Sequence, residues 1–360
     1  MILGIQLNLS VFKILGEIKM RKMILVLFIP CLVFQFFASY SYTAEKKLAQ
    51  TGLQFLSIPT DARVAAMGEA FTTVPGQSSS MFFNPANMAL MNSFVDFSIS
   101  QNNWIFDINQ YAGSIAFNPA RGLYGSFGIS VLSVDYGEFY GTVVDPTLEK
   151  GYRNTENFAP SAFAIGFGYA KSLTDRFSVG GQAKYVYQEL GSSTLPVGDI
   201  KDGVTKSVDN KVDVIAFDFG TIYKTGFKSL VFGMNVRNFS QEVKYQTEGF
   251  QLPLTFTIGI SMNVFDLFGE GHEMHSLLIS MDALHPRAYS ERLNFGGEYW
   301  FKQMFALRCG YNYNYDERNL TAGLGFQLEL GTDRMLQIDY AYTPFGLFGN
   351  VQRMSFRFSL

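Results

Sequence analysis

The chain has 360 residues, of which 48% are hydrophobic and only 16% charged, with 36 Phe, 19 Tyr, 34 Gly and a formal net charge of -3. So weak a charge excludes the basic footprint of a nucleic-acid-binding protein, and two cysteines, Cys31 and Cys309, exclude a disulfide-built scaffold. Abundant aromatics and glycine with little charge suit many strands that present bulky side chains to lipid.

At the N-terminus, Lys19, Arg21 and Lys22 precede an uncharged run from Ile24 to Ala38. Small residues Ser39, Ser41, Thr43 and Ala44 follow, and then Glu45-Lys46-Lys47. This is the layout of a secretory signal peptide, assigned to residues 1–44, with translation expected to start at Met20 or Met23. The run is short of the ~20 residues that a membrane-spanning helix needs, so a retained anchor is the weaker reading. Cleavage would remove four cations and one anion and leave a mature chain of about -6. Mature protein would keep only Cys309, placed on an apolar strand, where a lone cysteine behaves as a small hydrophobe.

Residues 45–92 carry little strand pattern. The stretch from Pro59 to Phe71 reads as a short helical turn ended by Gly68, and Asn87–Met91 as another. Between them, Asn84-Pro85 reads as a turn.

From Phe94 onward, period-two alternation recurs. Met354, Phe356, Phe358 and Leu360 interleave with Arg353, Ser355, Arg357 and Ser359, and Leu324, Phe326, Leu328 and Leu330 with Gly323, Gly325, Gln327 and Glu329. One face is large and apolar and the other is small or polar, as in a transmembrane barrel; a soluble sandwich would carry more charge on its outer face. Strands are expected at 93–101, 109–118, 122–133, 159–170, 176–189, 211–224, 229–239, 253–265, 275–284, 291–302, 304–315, 318–330, 334–343 and 351–360. Connections after even-numbered strands are mostly short. The long ones, Val134–Phe158, Leu190–Asn210 and Ser240–Leu252, follow odd-numbered strands. That parity is the rule for bacterial barrels with periplasmic termini. The fold class is therefore an all-β, transmembrane antiparallel β-barrel of about 14 strands spanning 93–360 in the bacterial outer membrane, with residues 45–92 as an N-terminal plug or hatch. About eight strands are the limit that side chains alone can fill, so the lumen has room for it.

The run Gln54-Phe55-Leu56-Ser57-Ile58-Pro59, then Ala62-Arg63-Val64-Ala65-Ala66-Met67-Gly68-Glu69-Ala70-Phe71, then Asn84-Pro85-Ala86-Asn87-Met88 resembles the N-terminal signature of the PorV/PorQ family. Glu69 stands where that family often has a second Gly. The resemblance implies a barrel related in architecture to the FadL-type channels, a hatch, and a part in type IX secretion, receiving cargo or linking it to surface attachment. Carried onto this chain, the motif picks out Arg63, Met67, Gly68, Asn84, Pro85 and Ala86. A guanidinium inside a polar lumen can anchor a plug on wall carboxylates; Asp218, Glu298, Glu329 and Asp339 are the candidates, against a plainer reading in which Arg63 is solvated at the periplasmic mouth.

Chemistry for catalysis is not evident. His272 and His275 lie in or beside one turn with Glu270 and Glu273, in a spacing too loose for a metal site, and no cofactor is expected. Gly166-x-Gly168 and Gly323-x-Gly325 lie mid-strand and read as small lumen-side positions, not phosphate loops. No serine sits in a nucleophile elbow, and the expectation is a non-enzyme. Tyr169, Tyr185, Tyr187, Tyr223, Tyr299, Tyr313, Tyr315, Tyr340 and Tyr342 are expected to form interfacial girdles. Three functions remain: an adaptor in protein secretion, with outer-membrane lipid around it and secretion-system proteins or exported cargo as partners; an uptake channel for a hydrophobic small molecule, suggested by Phe55, Leu56, Phe71, Phe82 and Phe83; and an orphan structural barrel.

Overall fold

The computed structural model describes residues 50–196, 205–268, 274–331 and 334–360. The expected signal peptide and His272 lie outside them. Fourteen antiparallel strands form one closed barrel. Numbering barrel strands alone, they are β1 Val95–Asn103, β2 Asn109–Phe117, β3 Ser126–Asp135, β4 Ser161–Ser172, β5 Phe177–Pro196, β6 Thr205–Lys224 and β7 Val231–Ser240. The other half comprises β8 Thr255–Asn263, β9 His275–Pro286, β10 Arg292–Phe301, β11 Phe305–Tyr313, β12 Leu320–Glu329, β13 Met335–Pro344 and β14 Asn350–Ser359. Each strand pairs with its neighbour in sequence, and β1 closes on β14 from Asp96 opposite Ser359 to Asn103 opposite Gln352. Closure removes the unpaired edges that a bilayer does not tolerate.

The alternation read from the sequence is the inside–outside alternation of the wall. On β3, Ser126, Gly128, Ser130, Leu132 and Val134 face the lumen and are buried, while Phe127, Ile129 and Val131 face out. Shielding from lipid is what the small and polar residues gain. Cys309 lies on the outer face of β11, among its apolar residues.

Two departures from the sequence reading have physical causes. Leu190–Asn210 is not simply a loop. After a register shift between Glu189 and Ser192, β5 and β6 pair on from Ser192 opposite Asp209 to Pro196 opposite Thr205. Ser192, Ser193, Asp209 and Asn210 are polar on both faces, so no apolar period marks these strands; backbone pairing and the Ser192 Oγ to Asp209 (2.8 Å) and Asn210 Nδ2 to Ser193 Oγ (2.6 Å) hydrogen bonds hold them. Tyr315 is not a girdle residue. β11 ends at Tyr313, Asn314 takes φ 66°, and Tyr315 turns between the guanidiniums of Arg292 and Arg318, 4.0 and 4.8 Å from its ring.

The long connections 136–160 and 241–254 stand at the end opposite the start of β1 and the finish of β14, as the expected parity requires. They carry small hairpins, Thr142–Val144 with Tyr152–Asn154 and Val243–Lys244 with Gly249–Phe250. Tyr245 of the second hairpin donates to Gln188 Oε1 at 2.8 Å, and burial, with Tyr136 nearby, pushes its hydroxyl up to about 12, so it stays a donor.

Candidate functional site

Residues 50–92 thread the lumen from the outer mouth to the periplasmic end. At the mouth, Gly52 N donates to Gln251 O (3.0 Å), and Leu53, Phe55 and Leu56 pack against Leu132, Val134, Val212, Val214 and Leu252. Midway, Val64, Met67, Phe71, Val74 and Phe83 form the segment's own apolar core. At the far end, Met81, Met88 and Met91 meet Ala116 and Ala170.

The five-residue helix α1, Ala62–Ala66, begins because Asp61 caps it, accepting from Arg63 N (2.8 Å) and Val64 N (3.3 Å). It stops at Gly68, whose φ of 61° only glycine adopts freely. The same glycine is demanded by the wall: a Cβ there would meet Phe295 O at 2.9 Å and Tyr311 N at 3.0 Å. Gly68 N donates to Thr321 Oγ1 (3.0 Å) and its carbonyl accepts from Asn312 Nδ2 (2.7 Å). Glu69, also left-handed at φ 64°, forms an ion pair with Arg318 of the β11–β12 turn, which gives this departure from the resembled motif a use.

Arg63 meets the wall at Glu298. Its Nε and Nη2 reach the two carboxylate oxygens at 2.7 and 2.6 Å, a bidentate pair, and Nη1 reaches Gln77 Oε1 at 3.2 Å. Glu298 also accepts from Arg308 (2.6 Å), which binds Asp339 (2.7 Å). Of the four candidate partners, Glu298 touches Arg63 directly and Asp339 joins through Arg308. Asp218 is taken by Lys184 at 2.8 Å, and Glu329 is exposed at a strand end.

The other motif residues make turns and close contacts. Met67 is fully buried over Gly296. Asn84 caps the 3-10 helix Pro85–Leu90 by accepting from Ala86 N (3.1 Å), and its Nδ2 donates to Thr72 O (2.8 Å). Asn84 and Pro85 sit over Gly220, and Ala86 over Gly180. Gly168 faces Met81 and Met88, and Gly323 faces Ala66, so these are the small lumen-side positions expected.

Two anchors escaped the sequence reading. Asp282 accepts from Phe71 N and Thr72 N, both at 2.9 Å, and Asp96 accepts from Ser78 N at 2.7 Å while pairing with Arg357 at the same distance. Arg357 in turn donates to Gly76 O (2.7 Å). The available signal was a carboxylate at the lumen phase of a membrane-spanning strand. Of the histidines, His275 Nδ1 lies 2.7 Å from Tyr299 Oη and His285 lies 3.3 Å from Glu291; among the described residues no cluster fit for a metal occurs.

Among the described residues, cavities lie between this segment and the wall. One is lined by Leu56, Ile58, Phe82, Phe83, Leu132 and Ala164 but also by Gln182, Lys184, Arg237 and Asn238. The second opens at the mouth and the third near Phe71 and Asp282; Arg237 borders all three.

The fold is that of solved toluene transporters. The toluene transporter TbuX of Ralstonia pickettii is 13% identical, with 83% of this chain and 96% of that one covered and a TM-score of 0.53. The toluene transporter TodX of Pseudomonas putida is 10% identical over the same shares, with a TM-score of 0.54. Likeness at such identities is one of fold. No curated protein matches the chain. A family model described as "Type IX secretion system membrane protein PorP/SprF" matches residues 149–349, more than half of the chain, a span that takes in the whole wall from β4 to β13. The chain therefore belongs to the PorP/SprF family of type IX secretion system membrane proteins.

Proposed function

We propose that this barrel serves type IX secretion as a docking component, its outer loops engaging an exported protein or another secretion-system protein while its lumen stays plugged. The observation that carries the reading is the hatch, which fills the lumen from Gly52 at the mouth to Met91 at the periplasmic end and is tied to the wall at Glu298, Asp282 and Asp96. A lumen occupied in this way leaves the outer surface for function. That surface carries exposed Tyr140 (85%) and Val144 (66%), with Leu148 and Tyr152, on the connection 136–160. Apolar groups raised on a solvated hairpin mark a protein contact. Resemblance of residues 54–88 to the PorV/PorQ signature supports the finer version, in which the barrel receives cargo or links it to surface attachment. Export through a signal peptide in residues 1–44, and action without catalysis, belong to the same reading.

The test is the secreted and surface proteome of a deletion strain against its parent. Loss of many unrelated exported proteins from the medium, with periplasmic accumulation, is the expected result; an unchanged proteome sinks the docking role.

A second reading, uptake of a hydrophobic small molecule, draws on the fold of the toluene transporters and on the apolar side of the cavity at Leu56 and Phe82. Arg237 in that lining, beside the buried Lys184–Asp218 pair, weighs against it, since an apolar ligand offers its guanidinium no acceptor.

A further inference from the structure

The cavity at the outer mouth has a charge pattern that the docking role alone does not require. It lies between Gln54, Ser57 and Glu69 of the hatch and the upper ends of β7 to β12, and four guanidiniums line it: Arg237, Arg287, Arg292 and Arg318. Among the described residues, the carboxylate in the lining is that of Glu69, and Arg318 engages it. Nearby Glu291 is paired with His285 on the exposed side, and Asp316 and Glu317 stand exposed on the turn that carries Arg318, where Glu317 adds its charge beside that arginine. In a chain with a net charge of -3, this is a local excess of positive charge.

The cations are also held ready. Arg292 is clamped between Tyr289 and Tyr315, 3.8 and 4.0 Å from its guanidinium carbon, and its buried Nε has no hydrogen-bond partner. Arg237 gives Nη1 to Phe82 O at 3.0 Å, and its Nε too is buried without a partner. Continuing around the mouth, Arg318 lies over Phe345, Phe345 abuts Trp104, and Arg353 lies over Trp104. Arg353 is 1% exposed, with Nη1 on Thr343 Oγ1 and with Nε and Nη2 unpartnered. Buried donors of this kind normally have acceptors.

We infer that this basin binds a carboxylate-bearing segment of a polypeptide that reaches the outer mouth, Arg287 and Arg292 supplying the fork and Arg237 a deeper donor. A fixed guanidinium matches a carboxylate bidentately. Pro253, Leu254 and Ala288 give the basin an apolar side against which the neighbouring residues of a peptide can rest. Lipid phosphates lie outside the wall, whereas this basin lies within its ring, so a peptide is the better-placed source of the anion. The inference rests on the docking role and names the chemistry of its partner.

The test uses the full-length mature barrel in an uncharged maltoside detergent. Anisotropy of a dye-labelled peptide of alternating Glu and Ala is compared with that of its Gln and Ala twin. The barrels are the unmodified protein, the double variant R287Q/R292Q, and R121Q, which removes an exposed arginine of the β2–β3 turn at the other end. Binding of the Glu peptide is expected to exceed that of the Gln peptide and to fall about tenfold in R287Q/R292Q, with R121Q unchanged. Equal binding of the two peptides, or an unchanged affinity in a double variant that retains its folded gel mobility, overturns the inference. Saturable binding of octanoate without Glu-peptide binding also overturns it, in favour of a small amphiphile. If the double variant does not fold, the Glu against Gln comparison on the unmodified barrel decides. Loss of the Glu preference removes this site alone, while an unchanged deletion proteome removes the docking role, so the two failures are distinguishable.

Discussion

Glu298 holds Arg63 of the hatch and Arg308 of the wall on one buried carboxylate. Neutralising it leaves two guanidiniums sharing Asp339, and breaking a buried ion pair from one side costs about 3–5 kcal/mol. Glu298→Gln should therefore lower the temperature at which the folded band is lost in heat-modified gels. Glu329→Gln, at an exposed strand end, should leave that temperature unchanged; equal shifts would contradict the assigned pairing. Asp282→Ala leaves Phe71 N and Thr72 N without their acceptor, at about 1–3 kcal/mol each. At this scale Arg63 was legible because a cation in an apolar, glycine-ended motif needs a counter-charge. Choosing among four wall carboxylates was not, since which of them faces α1 depends on how the hatch lies across the strands.

As an element, the hatch fits because the wall makes room for it in glycine. A Cβ at Gly310 would overlap Gly68 N, and one at Gly180 would stand 2.6 Å from Ala86 N. Gly310→Val should push the Met67–Gly68 turn off the wall, and sensitivity of cells to a large, normally excluded antibiotic should rise; unaltered sensitivity would mean that the hatch does not seal there. Strand identity was readable because lipid outside and lumen inside force a period of two. Reading failed where that constraint lapses: the upper part of β5–β6 mixes Ser192, Ser193, Lys206 and Asp209 with Leu195 and Val208 and shows no apolar face, and Tyr315 follows a left-handed Asn314. The connection 136–160 makes a prediction of its own. Replacing residues 142–154 by a short Gly-Ser turn should keep the folded barrel, since both hairpin strands lie outside the wall, yet reduce export as far as gene deletion does. Full export with the shortened loop would move the docking surface elsewhere.

For the whole molecule, fourteen strands and a lumen-filling hatch make a closed body, with β1 paired to β14 and an apolar band facing lipid. Cys309 reports on that band. It lies mid-strand, opposite Gly297 and Ala322, and should resist a charged maleimide in intact membranes while reacting in denaturant; ready labelling in the membrane would place β11 wrongly. The central claim is that secretion uses the outside of a barrel whose hatch does not move. Ser78 of the hatch and Ser114 of β2 have their Oγ atoms 3.0 Å apart, close enough for a disulfide in S78C/S114C, built with Cys309→Ser. The decisive measurement is export to the medium by cells carrying only this locked barrel, with and without reductant. The account predicts normal export with the disulfide formed. Export that stops when the hatch is locked and returns on reduction would contradict it, and would make hatch movement part of the mechanism.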